Sequence, residues 1–261
     1  MKFAHVSDLH LTPDGPGRDK QFPSSIAMAS AIAEDLRTIA DGLDLLVVSG
    51  DITERADAES FAIFEQIFER IGLPIVTVPG NHDGPAGMFD YAASSPQFAG
   101  WHLTNRMIEI ERVRLLGLDT NIAGLTHGAL DDEALSLVDE QVQRKTDQCL
   151  VLVMHHPPLV LGLQQFDEFA RIERGDELLD IITASKSEVI VLSGHVHRPY
   201  SARDRNVSCF VAGSMIAPYD SEHPFGTDRI RPANLQDFYY IHAIELHGRH
   251  LVTPQRVRGL V

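Results

Sequence analysis

Short apolar runs alternate with amphipathic segments along most of the chain. Residues 3–6, 45–48, 75–78, 149–154 and 189–192 are largely apolar and have the length of strands buried on both faces. Between them, 24–40 carries Ile26, Ala29, Ala33, Leu36 and Ile39 at helical spacing behind Ser24 or Ser25 as N-cap. Residues 58–71 place Phe61, Phe64, Ile67, Phe68 and Ile71 on one helical stripe, stopped by Gly72. Residues 130–145 form an amphipathic helix opening with Asp131, Asp132 and Glu133, which suit a positive helix end. Residues 177–184 read as a further helix, 107–110 with 113–118 as a hairpin, and 207–211, 238–245 and 250–253 as strands without intervening helices. The longest irregular stretches are 19–23, 84–100 and 217–236, and the last is expected to be a lid or an oligomerisation contact. The pattern predicts an α/β fold of two packed sheets flanked by helices, in one domain over 1–261.

Composition narrows the class. The chain has 261 residues, 44% hydrophobic and 23% charged, as in ordinary globular proteins. Asp plus Glu exceed Lys plus Arg by 37 to 22, giving a net charge of −15. An acidic chain with no basic aromatic stripe lacks the footprint of a nucleic-acid or anionic-membrane binder, although a small anionic substrate remains compatible with a local cationic site. No apolar window approaches the roughly 20 residues that span a bilayer. The start, MKFAHVSDLH, does not read as a secretory signal, so a cytoplasmic protein is expected. Cys149 and Cys209 each lie in an apolar run and read as buried free thiols.

The chemistry concentrates in five short motifs, each directly after an apolar strand run. They are Asp8-Leu9-His10, Gly50-Asp51, Gly80-Asn81-His82-Asp83, His155-His156-Pro157 and Gly194-His195-Val196-His197. In layered α/β folds the carboxyl ends of strands are where ligands bind. On extended backbone, D-x-H and H-x-H spacing would turn both side chains the same way. Carboxylate, imidazole and amide oxygen without thiolate suit divalent ions of intermediate hardness: iron, manganese, zinc or cobalt. Seven such groups are too many for one tetrahedral ion and suit two ions sharing a carboxylate, for which Asp51 is the natural bridge. Two divalent ions outweigh Asp8 and Asp51, so the site would attract an anionic ester within an acidic protein. Arg198, Tyr200, Tyr219, His223 and Phe225 could face substrate or simply pack.

Taken in this order, D-x-H, G-D, G-N-H-D, H-x-P and G-H-x-H resemble the calcineurin-like metallophosphoesterase superfamily, over Asp8 to His197. The resemblance implies a four-layer α/β/β/α sandwich of two mixed β-sheets with a dinuclear metal centre. It implies one ion on Asp8, His10, Asp51 and His197, and the other on Asp51, Asn81, His155 and His195. His82 would stabilise the transition state or protonate the leaving oxygen, with Asp83 or Glu54 orienting it. Asn81, His82 and His156 are candidate substrate contacts. The HHPP string alone leaves His155 and His156 open as ligands; the family pattern selects His155.

The strings HVSDLHL, GDITE and MHHPPL look most like bacterial class III cyclic nucleotide phosphodiesterases and the related glycerophosphodiester hydrolases. They imply hydrolysis of a small phosphodiester, such as 3′,5′-cyclic AMP, by a metal-bridging hydroxide attacking phosphorus. Phosphomonoesterase or phosphoprotein phosphatase activity on the same site is the alternative. A non-catalytic interaction module has no reason to keep the full ligand set. A homo-oligomer is expected.

Overall fold

The computed structural model describes residues 1–13, 24–160, 172–185, 187–220, 231–232, 236–245 and 249–258, with 162, 164, 167 and 170. In chain order the elements begin with β1 (Lys2–Val6), α1 (Ser25–Ile39), β2 (Leu45–Val48), α2 (Ala58–Phe68), β3 (Ile75–Thr77), α3 (Pro85–Ser94) and α4 (Pro96–Trp101). Then come β4 (Arg106–Ile110), β5 (Val113–Gly117), β6 (Gly128–Ala129), α5 (Asp132–Gln143), β7 (Cys149–Val153), β8 (Ile172–Glu173), α6 (Gly175–Ser185) and β9 (Val189–Ser193). The tail holds β10 (Tyr200–Asp204), β11 (Val207–Val211), β12 (Tyr219–Asp220), β13 (Arg231–Pro232), β14 (Phe238–Ile244) and β15 (His250–Arg256).

Two mixed sheets pack face to face. One runs β15-β14-β1-β2-β3, with β1, β2 and β3 parallel and the two tail strands antiparallel. The other runs β10-β11-β9-β7-β5-β4, with four parallel strands between antiparallel edges. Their alternating faces explain the unbroken apolar runs. Leu45 and Val47 join Phe3, Val151, Val153 and Leu192 in the core between the sheets. Leu46 and Val48 instead meet Met28, Ile32, Phe61 and Phe64 of α1 and α2. On the far side Leu150, Leu152 and Val191 meet Leu135, Val138, Leu178 and Ile182 of α5 and α6. The four-layer sandwich expected from the sequence is the observed architecture. All the parallel strands end at one edge, which collects the loops bearing the motifs.

Local signals act as expected at several ends. The Ser24 hydroxyl accepts from Ala27 N at 3.2 Å, and Asp131 caps α5 through Ala134 N at 2.8 Å. Gly72 takes φ +72° after a short 3₁₀ turn, Glu69–Ile71. The structure corrects the reading of 84–100 as irregular, because α3 and α4 lie there. Pro85 and Pro96 start these helices, and Ser95 caps the second through Phe98 N at 3.2 Å. Residues that look like loop composition are here helix starts. Strand β10 is polar, pairs with β11 at the edge of its sheet and gives no apolar run to read. Of 217–236, Tyr219–Asp220 pairs with Arg231–Pro232, while 221–230 and 233–235, with His223 and Phe225, lie outside the described residues. Both cysteines are free thiols, and burial pushes Cys149 up to about 11 and Cys209 up to about 12. Among the described residues, no helix is long and apolar enough to cross a membrane.

Candidate metal centre

The motif residues meet where strands β1, β2, β3, β7 and β9 end. Asp8, His10, Asp51 and His197 place one ligand atom each within 4.8 Å of one another. Asp8 and His197 come from different sheets, so the site bridges the seam of the sandwich. Their backbone differs from the extended form expected for D-x-H and H-x-H spacing. Asp8 (φ 56°), His10 (φ 44°), Asp51 (φ 50°), His195 (φ 72°) and His197 (φ 53°) are all left-handed. Each costs roughly 1–2 kcal/mol against an ordinary conformation, and strain of this kind collects at functional sites. The residues between the ligands show what is gained. Leu9 is buried in the core of one helix layer and Val196 in that of the other. Each anchors its tripeptide, leaving the flanking side chains to the site.

Close approach explains the glycines. Gly50 takes φ +96°, and a Cβ there would fall 2.5 Å from His155 Nδ1. A Cβ on Gly80 would fall on the Asp51 carboxylate.

The hydrogen bonds of three imidazoles set their chemistry. His10 Nδ1 donates to Glu54 Oε2 at 2.9 Å, His197 Nδ1 to Ala217 O at 2.7 Å, and His155 Nδ1 to Ser49 O at 2.8 Å. In its neutral form each ring therefore turns a lone pair on Nε2 inward. His10 and His197 Nε2 stand 2.9 Å apart, His197 Nε2 is 3.4 Å from Asp8 Oδ1, and His155 Nε2 is 3.3 Å from Asp51 Oδ2. Lone pairs and carboxylates at such distances call for a cation among them. The titration behaviour agrees. Burial holds His10 and His195 low and pushes His197 down to about 4, which favours the neutral, ligating form. Burial opposes charge on Asp51 too, but the charge and hydrogen bond of His155, with His10 and His82 beyond, hold its carboxyl well below the usual range. Burial also outweighs nearby histidines at Asp8, whose carboxyl is raised. Burial lowers His155, yet Asp51 and then Asp8 push it up to about 9, so a proton is drawn to where a metal cation would serve. This donor set fits divalent ions.

The second half of the site is drawn by His155, His156 and His195, whose ring nitrogens lie within 4.8 Å of one another. Among the described residues Asn81 Oδ1 is buried without a hydrogen-bond partner, and buried His155 Nε2 faces Asp51 Oδ2 at 3.3 Å. His156 differs, since both its nitrogens are occupied within the chain. Nε2 donates to Thr126 O at 3.0 Å, and Nδ1 accepts from the Thr120 hydroxyl at 2.7 Å. Burial and then the charge of His155 push it down to about 3. His156 therefore braces the 119–129 loop against His195, 4.4 Å away between ring centres, and offers no open nitrogen to ion or substrate.

His82 lies at the rim, its backbone N–H donating to Asp51 Oδ1 at 2.8 Å and its Nδ1 to Glu54 O at 3.1 Å. Glu54 thus orients His82 through its carbonyl, while its carboxylate bonds His10. Asp83 does not orient His82. Its carboxylate is buried and accepts from Ile52 N, Thr53 N, the Thr53 hydroxyl and Gly80 N at 2.8 to 3.1 Å, tying the Asp51 loop to the Asn81 loop. Tyr219 stacks on His197 at 5.1 Å. Arg198 is half-buried beyond His197, and Tyr200 lines a cleft of about 270 Å³ with Phe210 and Tyr240. The backbone acceptors Ser49 O, Ala217 O and Thr126 O escape sequence reading, because a carbonyl has no sequence signature.

The chain belongs to the calcineurin-like phosphoesterase family, whose model matches residues 1–199. It is 30% identical over 199 residues to a glycerophosphodiester phosphodiesterase of Enterobacter lignolyticus, covering 76% of this chain and 71% of that one. It is 28% identical over 200 residues to a probable cyclic nucleotide phosphodiesterase of Synechococcus, covering 77% and 74%. In three dimensions it resembles a dimetal phosphatase from Danio rerio, with TM-score 0.66 at 13% identity over 92% of this chain and 95% of that one.

Proposed function

We propose that the protein is a phosphodiesterase dependent on two divalent ions, acting on small phosphodiesters such as 3′,5′-cyclic AMP. The observation that carries this reading is the set of imidazoles facing lone pairs toward Asp8 and Asp51 at the seam of the two sheets. In it Asp8, His10, Asp51 and His197 would hold one ion and Asp51, Asn81, His155 and His195 the other. When bound, the ions supply Lewis acidity and a nucleophilic hydroxide at neutral pH. The chain's own groups do the rest. The carbonyls of Ser49 and Ala217 fix which ring nitrogen faces inward. With Nδ1 held by Glu54 O, His82 keeps Nε2 for substrate, and in its protonated form gives that proton to the leaving alkoxide. Asn81 would offer its Oδ1 to an ion and its amide N–H to a phosphate oxygen. Two divalent charges against two carboxylates leave a net positive site that draws a phosphodiester despite the acidic chain.

Glycerophosphodiester hydrolysis is the second reading, favoured by the 30% identical relative. Residues 1–261 are read as one catalytic unit in the cytoplasm, with 217–236 a lid or a contact in a homo-oligomer. Rates measured in parallel on cyclic AMP, glycerophosphodiesters, and bis(p-nitrophenyl) and p-nitrophenyl phosphate decide among these. A rate on the monoester far above that on the diester would overturn the diesterase reading.

A further inference from the structure

We infer that Ser214 is a positioning residue for the Asp8–His10–His197 half of the site, linking two ligands that arrive from opposite sheets. The inference rests on the reading of that half as an ion site. Ser214 lies beyond the residues that carry the family match and is fully buried. Its hydroxyl donates to Asp8 O at 2.8 Å and accepts from Ile216 N at 3.2 Å and Ala217 N at 3.1 Å.

Each of these bonds bears on a ligand. Asp8 is left-handed, and its peptide is held by Gly50 O on the N–H side at 3.0 Å and by Ser214 on the carbonyl side. That fixes the direction of a carboxylate whose oxygens take His195 N at 2.9 and 3.1 Å and face His197 Nε2 at 3.4 Å. The turn closed on Ser214 Oγ presents Ala217 O to His197 Nδ1 at 2.7 Å, which aims Nε2 at Asp8 and His10. Tyr219 N then bonds His197 O at 3.1 Å, and the Tyr219 ring lies flat on the imidazole. One hydroxyl thus orients a carboxylate after β1 and, through a carbonyl, an imidazole after β9. Among the described residues no bond of Ser214 itself reaches Asn81, His155 or His195, and it meets the other half of the site only at one remove, through the Asp8 carboxylate that takes His195 N.

The test is calorimetric titration of the metal-stripped full chain with Mn²⁺ alone, for wild type, Ser214→Ala and Ser214→Cys, alongside His197→Ala and Asn81→Ala to assign the binding events. In Ser214→Ala the event also lost in His197→Ala is expected to weaken by about 10- to 100-fold, while the event lost in Asn81→Ala, reached only through Asp8 and His195 N, weakens much less. Ser214→Cys, which keeps the volume with a weaker donor, is expected to fall between; if the alanine variant does not fold, the cysteine variant shows the same split. A purely structural role would lower the melting temperature and leave the two affinities unchanged or weaken them alike. Either result overturns the inference. Wild-type protein that binds fewer than two ions would instead overturn the reading of the site.

Discussion

Replacing His156 by phenylalanine separates a brace from a ligand. The ring volume is nearly kept, and both polar atoms are removed. At pH 7.5 His156 is neutral in folded and unfolded chains, because burial pushes it down to about 3 in the fold. The loss is then that of the two bonds to Thr120 and Thr126. At about 1 kcal/mol each, His156→Phe is expected to be about 2 kcal/mol less stable than wild type. Acid reverses the balance. Between the unfolded value near 6.5 and the folded value about 3, the unfolded chain binds a proton that the fold refuses. Wild type therefore loses stability as pH falls below 6.5, by about 2 kcal/mol at pH 5 from this ring alone, whereas the phenylalanine variant loses none of that share. The two proteins are expected to reach nearly equal stability near pH 5. Urea unfolding of metal-stripped protein at pH 7.5 and 5.0 measures both gaps. Equal stability at pH 7.5, or a gap that widens in acid, would refute the assignment of both nitrogens to internal bonds.

His82→Ala is expected to lower kcat on bis(p-nitrophenyl) phosphate by about 10²- to 10⁴-fold while Mn²⁺ uptake stays unchanged, since the backbone bond to Asp51 survives; lost uptake would make His82 a ligand rather than a proton donor. Gly80→Ala puts a methyl group on the Asp51 carboxylate, so Mn²⁺ binding and diester hydrolysis are expected to fail together, with the circular dichroism spectrum kept. Retained binding would show that the two loops can part. His5, fully buried and pushed down to about 3 by burial, adds a second acid liability with the same sign as His156. His5→Gln is expected to flatten the fall in melting temperature between pH 6.5 and 5; an unchanged slope would refute it.

Much of this molecule could be read from its chain because its strands are covered on both sides. Leu45 to Val48 is apolar throughout since alternate residues feed different cores, and the polar motif after each such run marks the strand's carboxyl end. What escaped reading has physical causes. Helices α3 and α4 begin with prolines and lie among glycines, so their composition imitates a loop. Five of the seven candidate ligands, Asp8, His10, Asp51, His195 and His197, sit on left-handed backbone beyond the strands, and neither spacing nor residue type reveals that. Asp83 and Glu54 could both be suspected of holding His82, yet a carboxylate's partners depend on which N–H groups the loops present. Asp83 turned to the backbone and Glu54 to His10. The doubled histidine differs only in partners that no sequence shows: Thr120 and Thr126 occupy both nitrogens of His156, whereas His155 Nε2 faces Asp51.

Ion stoichiometry followed alongside catalysis is the most direct measurement. Metal-stripped wild type titrated with Mn²⁺ is expected to take up about two ions per chain, with hydrolysis of bis(p-nitrophenyl) phosphate rising as the second binds, and Asp51→Asn is expected to lose both uptake and rate. Hydrolysis that persists in the stripped protein with chelator present, or two ions held equally well by Asp51→Asn, would contradict a centre built around that shared carboxylate.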